Sequence, residues 1–318
     1  MMALSHKAKQ YLLAALKVLI LIITFGYIYL KLTDDSALNL SQFSTQISAT
    51  HSPIGWSLLL FLGLTVINWV MEILKWKTVA SVVQPISFGK AARQSLAALT
   101  ISLATPNRIG EYGAKAYFFP SEKRKQILLL NFFSNLVQMT VTIVFGILGL
   151  VLISQEYQVS FSTTNIVLIG LTVLALGILG FIFKEKELVL KGFSLTKIWN
   201  YIKKLSSRVK GSVVLLSFLR YLTFSFLFFL ILRFFGTDLR FQTAMPLIYA
   251  MYLLASLVPT IFIFDVVVRG GVAVWLFSLA GIPELPVLCT VLAMWILNFA
   301  LPALWGSFYV VSLKLKNP

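Results

Sequence analysis

Long apolar runs alternate with short polar loops along almost the whole chain. Leu12 to Leu30, Ile54 to Thr78, Ile127 to Ile153, Ile166 to Phe183, Ser212 to Phe235 and Leu288 to Leu313 each approach or exceed the ~20 residues that carry a helix across about 30 Å of hydrocarbon. The pattern predicts six full spans. Two further apolar stretches, 94–120 and 244–281, are interrupted in their middles. Thr105-Pro106-Asn107 breaks the first, and Val258-Pro259-Thr260 with Asp265 to Gly271 breaks the second. Leu195, Ile198, Trp199, Ile202 and Leu205 form an apolar stripe among lysines, the pattern of a helix lying in a membrane interface. Leu40, Phe43 and Ile47 are spaced in the same way.

The positions of the charges change how the interrupted stretches are read. Basic residues flank the first span (Lys7, Lys9), follow the second (Lys75, Lys77, Lys90, Arg93), recur at Lys123, Arg124 and Lys125, crowd 184–210, and close the chain at Lys314 and Lys316. Basic loops mark the cytoplasmic side. Both flanks of 94–120 are basic, so this stretch enters and leaves by one face. Ser95 to Ala104 descends, and Gly110 to Phe119 returns. Ten residues at about 1.5 Å each reach roughly half the bilayer. For the tail to end inside, 244–281 must form a second hairpin entering from the outer face.

The chain then parses as span, span, hairpin, span, twice over, with the second set inverted: residues 1–153 form one repeat and 154–318 the other. Pro106 with Pro259, and Glu111 with Asp265, recur at an offset of about 154 residues, and such inverted repeats place transporter sites between their halves at the midplane. The predicted fold class is an all-α polytopic membrane protein with an inverted-topology repeat.

Composition supports the same solvent. Of 318 residues, 58% are hydrophobic and 12% charged, and the net charge of +16 resides in loops, where it speaks for orientation and an anionic lipid surface along 184–210 rather than for nucleic acid. Cys289 is single and apolar-flanked, so no internal disulfide forms. His6 and His51 lie in polar segments, leaving no metal-ligand cluster, no His-based nucleophile system and no phosphate-cradling glycine motif. No catalytic residue, metal or cofactor is expected.

Ionisable residues at membrane depth are costly and mark candidate sites. Arg108 and Glu111, three apart at the start of a half-helix, either receive an anionic head group together with freed backbone amides, or form a structural ion pair. Asp265 and Arg269, four apart, pose the same choice. Gly270 and Gly271 admit close approach of a ligand or of a helix, and Gly110 sits at the first break beside Pro106. Arg220 lies a turn or two inside its run and joins the candidates. Arg233 and Lys115 are expected to snorkel to an interface, Glu72 and Lys75 to form a structural pair, and the tryptophans to anchor or pack.

The segment Thr105-Pro-Asn-Arg-Ile-Gly-Glu111 with its small-residue half-helix resembles the Thr-Pro-x-Arg-x-Gly-Glu signature of the lysylphosphatidylglycerol synthase/flippase-like membrane domain family. The resemblance in architecture covers nearly the whole chain. It implies a lipid-translocating role and points to Pro106, Arg108, Gly110 and Glu111. The family's second motif is usually proline, a glycine-rich turn and a carboxylate; here Pro259 is followed by Ile-Phe-Ile-Phe, then Asp265, Arg269 and the glycines. The stand-alone form is expected, without the soluble aminoacyl-transferase domain of the fused members, so their lipid-modifying activity is not expected. The sequence therefore predicts a flippase or transporter of the inner membrane for a phosphate-bearing lipid, of phospholipid or polyprenyl-phosphate type, with both termini cytoplasmic. The alternative is an accessory or lipid-processing protein that binds a lipid-linked substrate without moving it, and a small-solute permease is a third class.

Overall fold

The computed structural model describes residues 54–103, 105, 108–157, 194–258 and 264–311. Helix is the only regular structure among them, and the chain is an all-α polytopic membrane protein. Ten α-helices are described: α1 (Ile54–Ala80), α2 (Phe88–Ser102), α3 (Gly110–Tyr117), α4 (Ser121–Glu156), α5 (Leu195–Lys204), α6 (Ser207–Phe234), α7 (Phe241–Leu257), α8 (Phe264–Ser278), α9 (Glu284–Trp295) and α10 (Leu301–Val311). A single π-turn, Ile296–Ala300, joins α9 to α10. Four described helices are long and apolar enough to cross a membrane: α1, α4, α6 and the continuous Glu284–Val310. The spans expected at 12–30 and 166–183, the stripe at 40–47, Pro106, Pro259, residues 184–193 of the basic loop and the last residues of the tail lie outside the described residues.

Two expected boundaries move for one reason. The basic stretch Ser121 to Gln126 is not a loop but the exposed first turns of α4, and α6 begins at Ser207 rather than Ser212. Lys and Arg are good helix formers, so a helix continues past the hydrocarbon boundary until a cap stops it. Ser206 stops α6 by accepting from the Val209 amide at 3.3 Å, and Ser87 stops α2 by accepting from Lys90 at 3.3 Å.

Both interrupted stretches form helix pairs. Helix α2 packs on α3, and α7 on α8. The first arm of each pair lies against the last span of the other half of the chain, α2 on α10 and α7 on α4, while α1 and α6 pack on one another. Small residues set these close approaches. A Cβ at Gly306 of α10 would collide with the Leu96 carbonyl of α2; at Gly149 of α4 it would come within 2.5 Å of the Pro246 carbonyl of α7. In lipid no hydrophobic force drives helices together, so backbone proximity and dispersion do much of that work. One buried cluster, including Phe228, Leu247 and Phe277, joins α6 to α9; a second, including Trp76, Ile127 and Leu130, joins α1 to α4 with Leu205 and Val213. Between the clusters lies a polar cleft.

Helix α5 tests the interfacial stripe. Leu205, just past its end, is buried, Ile202 packs on the second cluster, and Trp199 is exposed beneath the Lys203 ammonium, 5.3 Å from its ring. Ile202 and Leu205 thus hold the helix to the protein, while Trp199 faces outward.

Candidate functional site

The first helix pair turns through Thr105 and Arg108. Thr105 accepts the Gly110 amide on its Oγ1 at 2.8 Å and donates to the Ser102 carbonyl at 2.8 Å. Of the backbone amides expected to be freed for a ligand, that of Gly110 is occupied by Thr105. Gly110 is required there, because a Cβ would meet Thr105 Oγ1 at 2.8 Å. Arg108 adopts φ 57°, a left-handed conformation that costs a non-glycine residue about 1–3 kcal/mol and clusters at functional sites. This turn holds Arg108 half exposed at the tip, with its Nη2 3.9 Å from Glu111 Oε2.

Behind the tip the charges form one chain. Glu111 Oε1 accepts from Lys115 Nζ at 2.6 Å, and Lys115 also donates to Asn131 Oδ1 at 3.1 Å and covers the Trp76 ring at 4.5 Å. Lys115 is only 2% exposed, so it does not snorkel. Snorkelling would carry it toward the surface, but Asn131 of α4 and Glu72 of α1 hold it inside, the latter 3.8 Å away. Glu72 pairs with Lys75 at 2.9 Å, as the spacing predicts, but it also meets Arg220 of α6 at 3.1 Å. Gln138 of α4 accepts from both Lys75 and Arg220. The Glu72 and Lys75 pair is thus part of the polar cleft, not an isolated strut.

The second helix pair presents Asp265 and Arg269 bonded at 2.9 Å. The two pairs meet at Phe299: the Arg108 guanidinium stands 5.4 Å from its ring centroid and that of Arg269 stands 5.9 Å. The two arginines are therefore no farther apart than the sum of those distances. Phe299 rides on the π-turn, whose origin is chemical. Pro302 has no N–H to offer the Asn298 carbonyl four residues back, and Trp69 Nε1 donates to that carbonyl instead at 3.2 Å. Asn68 completes the pin, donating to Asn298 Oδ1 at 2.9 Å. Single π-turns of this kind recur at functional sites.

A cavity of about 550 Å³ lies in the cleft, and Arg108, Glu111, Arg220, Asp265 and Arg269 all line it together with Glu72, Lys115 and Gln138. The five residues singled out from the sequence thus come together on one wall-to-wall site. Gly270 and Gly271 do not line it. A Cβ on Gly270 would meet Leu288 at 3.2 Å, so this glycine packs α8 on α9, while Gly271 faces open space. Arg233 is exposed in the last turn of α6, as snorkelling requires. Trp69 and Trp295 line the cavity instead of serving only as anchors.

Residues 13–306 match the lysylphosphatidylglycerol synthase TM region. The chain belongs to that family. Membership spans nearly its full length and ties this multi-pass membrane protein to lipid handling. Among curated proteins none matches the chain. Within the family domain, sequence reasoning missed the parts of Glu72, Lys115, Gln138 and Phe299. The depth of Glu72 was readable, but two of its partners, Lys115 and Arg220, come from two other helices. Pro302 was the available signal for the π-turn.

Counted by charge, Arg108, Lys115, Arg220 and Arg269 at the cavity, with Lys75 behind it, face Glu72, Glu111 and Asp265. Cations exceed carboxylates. Such a surplus in a low-dielectric cleft favours an anion, and guanidinium groups match phosphate in a two-pronged way.

Proposed function

We propose that the protein moves a phosphate-bearing lipid between the leaflets of the inner membrane, with the phosphate received between Arg108, Arg269 and Arg220. The observation that carries this reading is the meeting of both hairpin arginines on one ring, Phe299, at the edge of a cationic cavity. Alternating access needs two halves that rock about a shared site. The packing supports such halves. Exchanging α1 with α6, α2 with α7, α3 with α8 and α4 with α9 and α10 turns each observed pairing into another: α2 on α10 becomes α7 on α4, α3 on α4 becomes α8 on α9, and α1 on α6 is its own counterpart. Read this way, the two helix pairs are re-entrant hairpins of an inverted repeat, and α3, at 8 residues or about 12 Å, is too short to cross.

Glu111, Glu72 and Asp265 hold the arginines in place while the site is empty and yield them to the entering phosphate. The tail is of phospholipid or polyprenyl-phosphate type. The basic residues of α5, with Lys203 over Trp199 and Lys197 and Lys204 on the same helix, rest on the anionic cytoplasmic leaflet. The test is lipid translocation in proteoliposomes. Arg108→Ala should slow it by about tenfold or more, the worth of one charge-assisted phosphate contact, with the protein still folded. An unchanged rate overturns the assignment, and binding without movement in the native protein favours the accessory reading.

A further inference from the structure

Lys75 is 1% exposed and lies behind the cavity, whereas Arg220 beside it lines the cavity with its side chain 24% exposed. Their cationic nitrogens compete for the same two oxygens. Lys75 Nζ stands 2.9 Å from Glu72 Oε2 and 3.2 Å from Gln138 Oε1, and Arg220 Nη1 stands 3.1 Å and 3.4 Å from the same pair. Among the described residues Lys75 meets no other acceptor. The next charge on this face is also positive: Lys115 of α3, 3.8 Å from Glu72 Oε1. Lys115 is better provided for, since Glu111 holds it at 2.6 Å and Asn131 accepts from it as well. The other elements packed on α1 bring neutral amides, with Gln94 of α2 bonded to Trp76, Gln138 on α4, and Asn298 of the π-turn bonded to Asn68. Two buried cations crowded on one carboxylate repel each other without water to screen them. A guanidinium cannot shed its proton, but a lysine can.

Resting on the lipid reading above, we infer that Lys75 carries a coupling proton, taken up as the phosphate draws Arg220 away from Glu72 and released as the phosphate leaves. With Arg220 turned to the anion, Glu72 Oε2 and Gln138 Oε1 are left to Lys75. Its Nζ lone pair binds the proton, and no other bond forms or breaks. Glu72 both lines the cavity and touches Nζ, so it relays the proton between the cavity and the buried amine. When the anion departs, Arg220 returns to its two acceptors and the proton leaves through the same carboxylate. Phosphate and proton thus favour each other's binding, and by linkage each does so by the same factor. A phosphodiester with one negative charge then crosses with one proton as a neutral pair. A pH difference drives that movement, and the membrane potential does not.

Binding of dimethyl phosphate to the purified full-length protein in detergent tests the proton site directly. The probe is a diester and lacks the ionisation at about pH 6 that a phosphate monoester shows, so any proton exchanged belongs to the protein. Binding to the native protein should take up protons from weakly buffered solution, and the affinity should accordingly fall about tenfold from about pH 7 to about pH 9. Lys75→Arg keeps the charge but cannot titrate, and Lys75→Met removes it while Glu72 retains Arg220 and Lys115. Both variants should bind the probe with no proton uptake and a flat pH profile. No uptake by the native protein, or uptake that survives in either variant, overturns the proposal. The second arm is movement of acyl-labelled phosphatidylglycerol in proteoliposomes. An imposed pH difference should speed it and a potassium diffusion potential should not, and Lys75→Arg should lose the response to pH. Movement that follows voltage and ignores pH sinks the proton site and leaves transport standing. Proton uptake on binding without any lipid movement does the reverse.

Discussion

At the scale of single residues, the chemistry of the cleft rests on how buried charges are paired. Lys115 is held on one side by Glu111 and on the other by Asn131, with Glu72 beyond. Removing it leaves two carboxylates facing each other with one cation fewer, in a setting where breaking a buried pair typically costs 3–5 kcal/mol, or about that order. Lys115→Met should therefore lower thermal stability in detergent markedly, whereas Arg108→Ala, at the half-exposed tip, should leave the melting temperature nearly unchanged. Should both variants melt like the native protein, the buried chain of charges contributes no structural role. Arg108 also carries positive-φ strain, which persists only because Thr105 and Gly110 tie the turn on both sides.

Among the elements, the π-turn and the glycine contacts set the geometry. The π-turn runs just ahead of Pro302, which cannot supply an amide to Asn298, and it carries Phe299 beside both Arg108 and Arg269. Pro302→Ala restores the missing donor, so the helix can relax to regular α and swing Phe299 away. Stability should be kept or raised, since an interior proline costs a helix about 3 kcal/mol, while translocation falls. Loss of stability with unchanged transport would reverse that assignment. Gly306→Val on α10 probes the packing itself. Its added bulk meets the Leu96 backbone, which cannot give way like a side chain, so the variant should yield little folded protein by size-exclusion chromatography.

Across the whole molecule, the paired packing of the two halves makes a claim about sidedness. Lys90 and Ser121 flank the first helix pair, and Asp238 and Glu284 flank the second. With Cys289 replaced by serine, single cysteines at Lys90 and Ser121 should both react with an impermeant thiol reagent from the cytoplasmic side, and those at Asp238 and Glu284 from the opposite side. A flank pair split across the membrane would make that helix pair a full crossing and overturn the proposed inverted repeat. The exposed Trp199 and its lysines add a further expectation. Vesicles rich in anionic lipid should protect a fluorophore at Trp199 from aqueous quencher more than neutral vesicles do, by the attraction of about 1 kcal/mol per nearby basic residue.

What the sequence determined by itself was everything that depends on local pattern. Apolar run length decides which segments are helices, because the bilayer accepts no other backbone that satisfies its own hydrogen bonds. Proline, glycine and charge at depth mark where two of those runs break, and the same residues named Arg108, Glu111, Asp265, Arg269 and Arg220. Tertiary structure decided which of these charges meet. The fate of Lys115 hung on Asn131 and Glu72, residues on two other helices, and no spacing within its own half-helix could reveal that. Phe299 gained its place only when Trp69 took up the carbonyl that Pro302 had left without a donor. Pairing at a distance depends on helix packing, and helix packing in lipid is settled by where backbones can come close, at Gly149 and Gly306, rather than by any periodicity along the chain.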